Sequence, residues 1–246
     1  VEKSVEAVML YLGTLRAGMV FLPLNTAYRE TEIDYFLNDA EPAVVVCSPQ
    51  HAAWIAPLAQ AAGCRVVKTL GESADGSLIE AVTPFPATFK TVATRADDLA
   101  AILYTSGTTG RSKGAMLSHR NLSSNAKTLK AYWHWQRGDV LLHALPIFHV
   151  HGLFVALHGA LMNGSKCLWL SKFDADAIVR WLPRATVMMG VPTFYVRLAA
   201  DARVTRSLVR TMRLFISGSA PLLSETFVSF QQKTGHTILE RYGMSE

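Results

Sequence analysis

The chain has 246 residues, half of them hydrophobic and 17% charged, with a formal net charge of +5. That composition supports a sizeable core in one large or two small domains. The cations are scattered without a Lys/Arg run, which argues against a nucleic-acid stripe, and no apolar run reaches membrane-spanning length.

A mild excess of cations suits small anionic substrates. The three cysteines, Cys47, Cys64 and Cys167, lack metal-type spacing and read as unbridged thiols of a reducing compartment. No signal peptide is visible, and a cytoplasmic location is expected. The chain begins without Met inside an amphipathic pattern and ends within a motif, so it reads as truncated at both ends.

Val5, Val8, Met9, Leu12 and Leu15 recur at helical spacing, with Gly18 placed to end the helix. PLN at 23–25 is a turn, and 30–37 predicts a second helix. AVVVC and RVVKTL predict strands around an alanine-rich helix at 52–62. Residues 71–97, rich in Gly, Ser, Thr, Pro and Asp, read as a crossing loop between two halves, 1–97 and 98–246.

Beyond that loop, AAILYTS predicts a strand, followed by a glycine-rich turn and a helix over 121–132. The alternation continues with VLLHAL, helix 152–162, KCLWL, helix 175–181 and TVMMG. A helix opened by Pro192, then RLFISG, helix 224–233 and TILERYG complete it. Alternating strands and helices predict an α/β fold with parallel sheets flanked by helices.

The stretch YTSGTTGRSKGAMLSH, 104–119, concentrates glycines, hydroxyls and Lys113 directly after a strand. Glycines let main-chain N–H groups approach an anion, and hydroxyls and a lysine suit phosphate oxygens. A strand, a glycine-rich turn and a helix N-terminus form a recurrent phosphate site. It is not a Walker loop: Lys113 follows Ser112 and precedes Gly114, so the magnesium-binding hydroxyl of that motif is missing.

Four further segments follow in order: ALPIFHVHGL at 144–153, GVPTFY at 190–195, FISGSAPL at 215–222 and ERYGMSE at 240–246. Together with the glycine-rich stretch they resemble the adenylate-forming superfamily of acyl-CoA synthetases, luciferases and peptide-synthetase adenylation domains. EKSVEAVMLYLGTLRAG, FLPLNTAY, RYGMSE and the arginine of VPTFYVRL most resemble malonyl-CoA synthetases. The resemblance implies part of that superfamily's large N-terminal α/β domain, with a mobile C-terminal domain absent from this chain.

It also implies ATP, Mg²⁺ and coenzyme A, and two half-reactions. A carboxylate attacks the α-phosphorus of ATP to give an acyl-adenylate and pyrophosphate; a thiol then displaces AMP. Thr105, Ser106, Gly107, Thr108, Thr109, Gly110 and Lys113 would hold the β- and γ-phosphates. Glu246 would bind Mg²⁺ and Ser245, where the family usually has Thr, would reach a phosphate oxygen. Gly218, Ser219, Ala220, Pro221, Glu240, Arg241, Tyr242 and Gly243 would border adenine, with Tyr242 offering a flat face.

On residue types alone, His149 and His151 read as packing or hydrogen-bonding residues, since nothing close in sequence completes a zinc site. The resemblance makes them, with Ser217, neighbours of the acyl carboxylate, His149 as a gate. Arg197 lies in the helix after Pro192, where an arginine is ordinarily a solvated face residue. Turned into an acyl pocket it would be left unpaired by a fatty chain, whereas a second substrate carboxylate would pair with it. The expected substrate is therefore a dicarboxylate such as malonate or methylmalonate. A short-chain, medium-chain or aryl acid with Arg197 on the surface, or an inactive nucleotide-binding fragment, is the competing expectation.

Overall fold

The computed structural model describes residues 1–105 and 111–245, which form two compact units, Val1–Arg95 and Ala96–Glu246. The first unit begins with α1, Val5–Arg16, whose N-terminus is capped by the Ser4 hydroxyl accepting from Ala7 N–H at 3.0 Å. Gly18, at φ 69°, ends that helix as expected, because only glycine enters the left-handed region without strain. Helix α2, Glu30–Ala40, then precedes β1, Val44–Cys47; α3, Ala52–Ala61; and β2, Val66–Thr69. The two strands pair in parallel, and Ile33, Leu37, Cys47, Ile55, Ala59 and Cys64 form the core around them. The 71–97 stretch is not wholly loop: Ser77–Val82 forms a short helix, α4, with the Ser77 N–H donating to the Thr69 hydroxyl at 3.0 Å.

The second unit opens with an antiparallel pair, β3, Leu99–Thr105, and β4, Lys113–Ser118, in which Thr105 stands opposite Lys113. This corrects the sequence reading of the glycine-rich stretch. It joins two strands and does not run into a helix N-terminus; Lys113 is the first residue of β4. Gly114 makes the pairing close, since a Cβ there would fall 2.9 Å from Ile102 Cγ2. The helix begins only at α5, His119–Tyr132, where Ser118 and Asn121 cap each other reciprocally.

The rest is a five-stranded parallel sheet in the order β6-β5-β7-β8-β9, as the alternation predicts. Its strands are β5, Val140–His143; β6, Lys166–Trp169; β7, Val187–Gly190; β8, Leu214–Ser217; and β9, Ile238–Glu240. All four β7 residues are buried, as expected for a parallel strand covered on both faces. Period-two alternation sends Leu142, Met188 and Phe215 to one core with α7, Ala175–Trp181; α8, Pro192–Ala200; and α9, Ser224–Thr234. Leu141, Val187, Met189 and Ile216 face the other core, with Trp133, Trp135, Val155 and Ala156. The helix expected over 152–162 is composite: a π-helical segment, His151–Leu157, precedes α6, His158–Asn163.

The amino ends of three strands are tied by one buried carboxylate. Asp139 accepts from Thr186 Oγ1 at 2.8 Å and from the Gln136 N–H at 2.6 Å, and it pairs with Arg213. Burial by itself would raise the Asp139 pKa; the Arg213, Gln136 and Thr186 hydrogen bonds outweigh it and leave the carboxyl below its ordinary value.

Candidate active site

In an open parallel sheet, ligands bind beyond the carboxyl ends of the strands, where the strand order reverses. Here the chain passes from β5 outward to β6 and then returns to β7 on the other side of β5. The reversal lies between β5 and β7. The segments beyond these carboxyl ends carry most residues singled out from the sequence. The segment after β5 holds His149 and His151, β7 leads into the helix of Arg197, β8 ends at Ser217, and β9 ends at Glu240.

His151 is buried and its Nδ1 lies 3.1 Å from the Ser219 hydroxyl; its Nε2 has no hydrogen-bond partner among the described residues. Burial, then the charges of Arg241 and His149, push its pKa down to about 3, so the ring is neutral. A Ser219 hydroxyl that donates to Nδ1 leaves the proton on Nε2, which then offers a donor to a ligand. Ser219 itself stands at φ 71°, a strained conformation of the kind that collects at functional sites. His149 is more exposed, and its Nδ1 accepts from the His151 N–H at 3.2 Å. Partial desolvation of its ring, and then the Arg241 charge, lowers its pKa. Ser217 Oγ is a second buried polar atom without a partner among the described residues.

Arg241 packs beside these groups. A Cβ on Gly218 would lie 3.2 Å from His151 Cε1 and 3.3 Å from Arg241 Nη1, and one on Gly243 3.3 Å from Nη2. The main chain locks the position, with the Arg241 N–H donating to Ser217 C=O at 2.8 Å. Burial lowers the guanidinium pKa, yet an arginine remains cationic. Among the described residues Arg241 has no salt-bridge partner. Sequence reasoning placed it beside adenine and missed its closeness to the two histidines; an Arg–Tyr–Gly run at a strand end was the available signal.

The other candidates are distributed around this centre. Arg197 is exposed on α8, with its guanidinium carbon 5.5 Å from the Phe173 ring centroid. Tyr242 is 92% exposed, leaving its ring open to stacking. Glu240 is exposed and accepts from the Leu222 N–H at 3.5 Å, while Ala220, Pro221 and Gly243 are also exposed and Ser245 is half-buried. Thr105 is half-buried at the end of β3 and Lys113 exposed at the start of β4; Ser106, Gly107, Thr108, Thr109, Gly110 and Glu246 lie outside the described residues. A separate open depression of about 720 Å³, lined by Lys127, Lys130, His134, Trp135 and Met162 among others, contains none of these residues.

A site with a half-buried cation, two neutral imidazoles and an orphan hydroxyl is built to receive an anionic oxygen ligand. Comparisons with known proteins identify the family. The model of the AMP-binding enzyme family matches residues 1–246. Mouse (Mus musculus) malonate–CoA ligase ACSF3, mitochondrial, is 35% identical, the match covering 100% of this chain and 44% of that protein. Malonate–CoA ligase of Arabidopsis thaliana is 34% identical with the same coverages, 100% and 44%. The crystal structure of ATP-bound MatB from Rhodopseudomonas palustris superimposes with a TM-score of 0.96 at 57% identity, covering 100% of this chain and 48% of that one. The chain thus spans about half the length of the relatives it matches. Its parallel-rich architecture is that of the N-terminal domain of adenylate-forming enzymes, and the chain belongs to the AMP-binding enzyme family.

Proposed function

We propose that this chain is the nucleotide- and acid-binding part of an ATP-dependent acid–CoA ligase that activates a small dicarboxylate, malonate or methylmalonate. The observation that carries the reading is Arg241, a half-buried cation without a counter-ion among the described residues, set against His151 and Gly218. A long apolar acyl chain there would leave the charge uncompensated, at a cost of about 3 kcal/mol or more. A second carboxylate removes that cost and can be held by two parallel N–H donors. The names of the malonate–CoA ligases among the relatives support the same substrate class. Arg197, exposed near its helix end, is proposed as a second guanidinium that meets the diacid at the rim.

In this reading the substrate carboxylate attacks the α-phosphorus of ATP, pyrophosphate leaves, and the coenzyme A thiol then displaces AMP from the acyl carbon. No enzyme nucleophile is needed; alignment and charge stabilisation carry the rate. The connection between Thr105 and Lys113, including Ser106, Gly107, Thr108, Thr109 and Gly110, is assigned to the β- and γ-phosphates. Gly218 to Pro221, Glu240, Tyr242 and Gly243 border the adenine, with Ser245 at a phosphate oxygen, while Arg241, expected beside adenine from the sequence, is reassigned to the acid. His149, His151 and Ser217 face the attacking carboxylate. Glu246 is the proposed Mg²⁺ ligand, in keeping with the one or two carboxylates that this ion takes beside waters and phosphate oxygens. A C-terminal domain, in keeping with the half-length match to the relatives, would complete the enzyme, so residues 1–246 alone are expected to show no turnover. A cytoplasmic site of action is proposed; no helix among the described residues is long and apolar enough to cross a membrane.

The exposure of Arg197 favours a second reading, a ligase for short-chain, medium-chain or aryl monocarboxylic acids. One experiment separates them: pyrophosphate release by the full-length protein with malonate, methylmalonate, butyrate and benzoate, for wild type, Arg241→Leu and Arg197→Leu. The dicarboxylate reading expects at least a 100-fold loss in kcat/KM for malonate in Arg241→Leu with ATP affinity retained. Unchanged malonate turnover in both variants, or butyrate preferred by the wild type, overturns it.

A further inference from the structure

A second buried histidine, His143, stands in the sheet itself. It is the last residue of β5, 1% exposed, and its ring stacks on that of Trp169, its register partner in β6, with centroids 4.6 Å apart. Its Nε2 lies 2.9 Å from the carbonyl oxygen of Gly152. A carbonyl only accepts, so Nε2 of His143 bears the proton.

Gly152 is itself pressed into place, since a Cβ on it would fall 1.9 Å from the Pro146 carbonyl oxygen. The residue stands in the first turn of the π-helical segment, immediately after His151. Wide π-turns interrupt the regular helical ladder and occur frequently at functional sites. The residue that follows His151 is therefore clamped from two directions, by Pro146 against the missing side chain and by the His143 N–H at the carbonyl.

We infer that His143 is a positioning residue: its hydrogen bond to the Gly152 carbonyl fixes the π-helical turn, and through it the direction in which His151 presents Nε2 to the acid. The inference rests on the proposed role of His151 at the substrate carboxylate. His143 is held between the Trp169 ring and Gly152, so it transmits the rigidity of the sheet to a side chain outside the sheet.

The test uses the full-length protein with His143→Phe, which keeps an aromatic ring but removes the donor, and His143→Gln, whose amide restores a donor near the Nε2 position. His143→Phe is expected to lower kcat/KM for the acid about 30-fold while ATP affinity changes no more than about threefold. His143→Gln is expected to recover kcat/KM to within about threefold of wild type. Wild-type kcat/KM in His143→Phe, equal impairment of the two variants, or a parallel loss of ATP affinity and acid turnover overturns the inference. If the wild-type protein activates no acid at all, the ligase reading fails, and crystal structures decide the positioning role separately. Displacement of the His151 ring in His143→Phe but not in His143→Gln sustains it, and an unmoved His151 in both removes it.

Discussion

The two parallel sheets of this protein differ in how completely they are covered. In residues 1–95, Val44 of β1 and Val66 of β2 are 43% and 39% exposed, and one small core holds the strands. In residues 96–246, β7 is buried along its whole length, with a separate apolar core on each face of the sheet. A strand buried on both faces has little freedom to move, so what lies beyond its carboxyl end is held accurately. The carboxyl edge of the five-stranded sheet is where the unpartnered polar atoms of His151 and Ser217 and the half-buried Arg241 gather.

The comparison is broken most severely by crowding the five-stranded unit at its tightest point. Gly152→Ala is expected to destabilise residues 96–246 by roughly 4 kcal/mol, because the added methyl overlaps the Pro146 carbonyl. Segment-resolved hydrogen exchange checks whether protection is lost there and kept in 1–95; equal loss in both regions would show one cooperative body. Asp139→Ala comes next, at about 3 kcal/mol, since it strands the Arg213 guanidinium among the strand ends. Denaturant unfolding measures it, and a change below about 1 kcal/mol would mean the carboxylate is incidental.

Acid gives a smaller effect with a defined direction. His151 and His158, both lowered from 6.5 by burial first, to about 3 and about 4, are neutral in the folded state. The stability they contribute is fully present above about pH 6.5 and is lost as the pH falls toward 4 and then 3. On going from pH 7 to pH 5 the loss is about 2 kcal/mol for each histidine, seen as a fall of several degrees in Tm. Residues 1–95 hold a single histidine, His51, so hydrogen exchange should show the loss concentrated in 96–246. The smallest expected effect sharpens the picture of the core: Tyr195→Phe removes the hydroxyl that donates to the Ile216 carbonyl at 2.6 Å and costs about 1 kcal/mol. A stabilised variant would show that this buried hydroxyl is no net contributor.

Much of the architecture was legible because the strands of a covered parallel sheet are continuous apolar runs. VLLH, VMMG and LFIS all appear where such runs predict them, although the strands are shorter than the apolar stretches. The glycine-rich stretch misled at one step: KGAMLS is a strand because Gly114 lets it close on Ile102 and Tyr104, a long-range contact that local composition does not encode. The π-helical segment was also illegible, since 151–162 has ordinary helical content and its first turn is set by Pro146 and His143.

What the sequence determined by itself was the alternation of elements, their apolar faces and the motifs at their ends, because these follow from backbone preferences and local period. Tertiary structure alone decided which arginine is half-buried and which is exposed. It also decided which hydroxyl meets His151 and which imidazole holds the Gly152 carbonyl. Those outcomes depend on strands far apart in sequence being brought side by side at 5 Å spacing, and no local pattern specifies what two such strand ends will place next to each other.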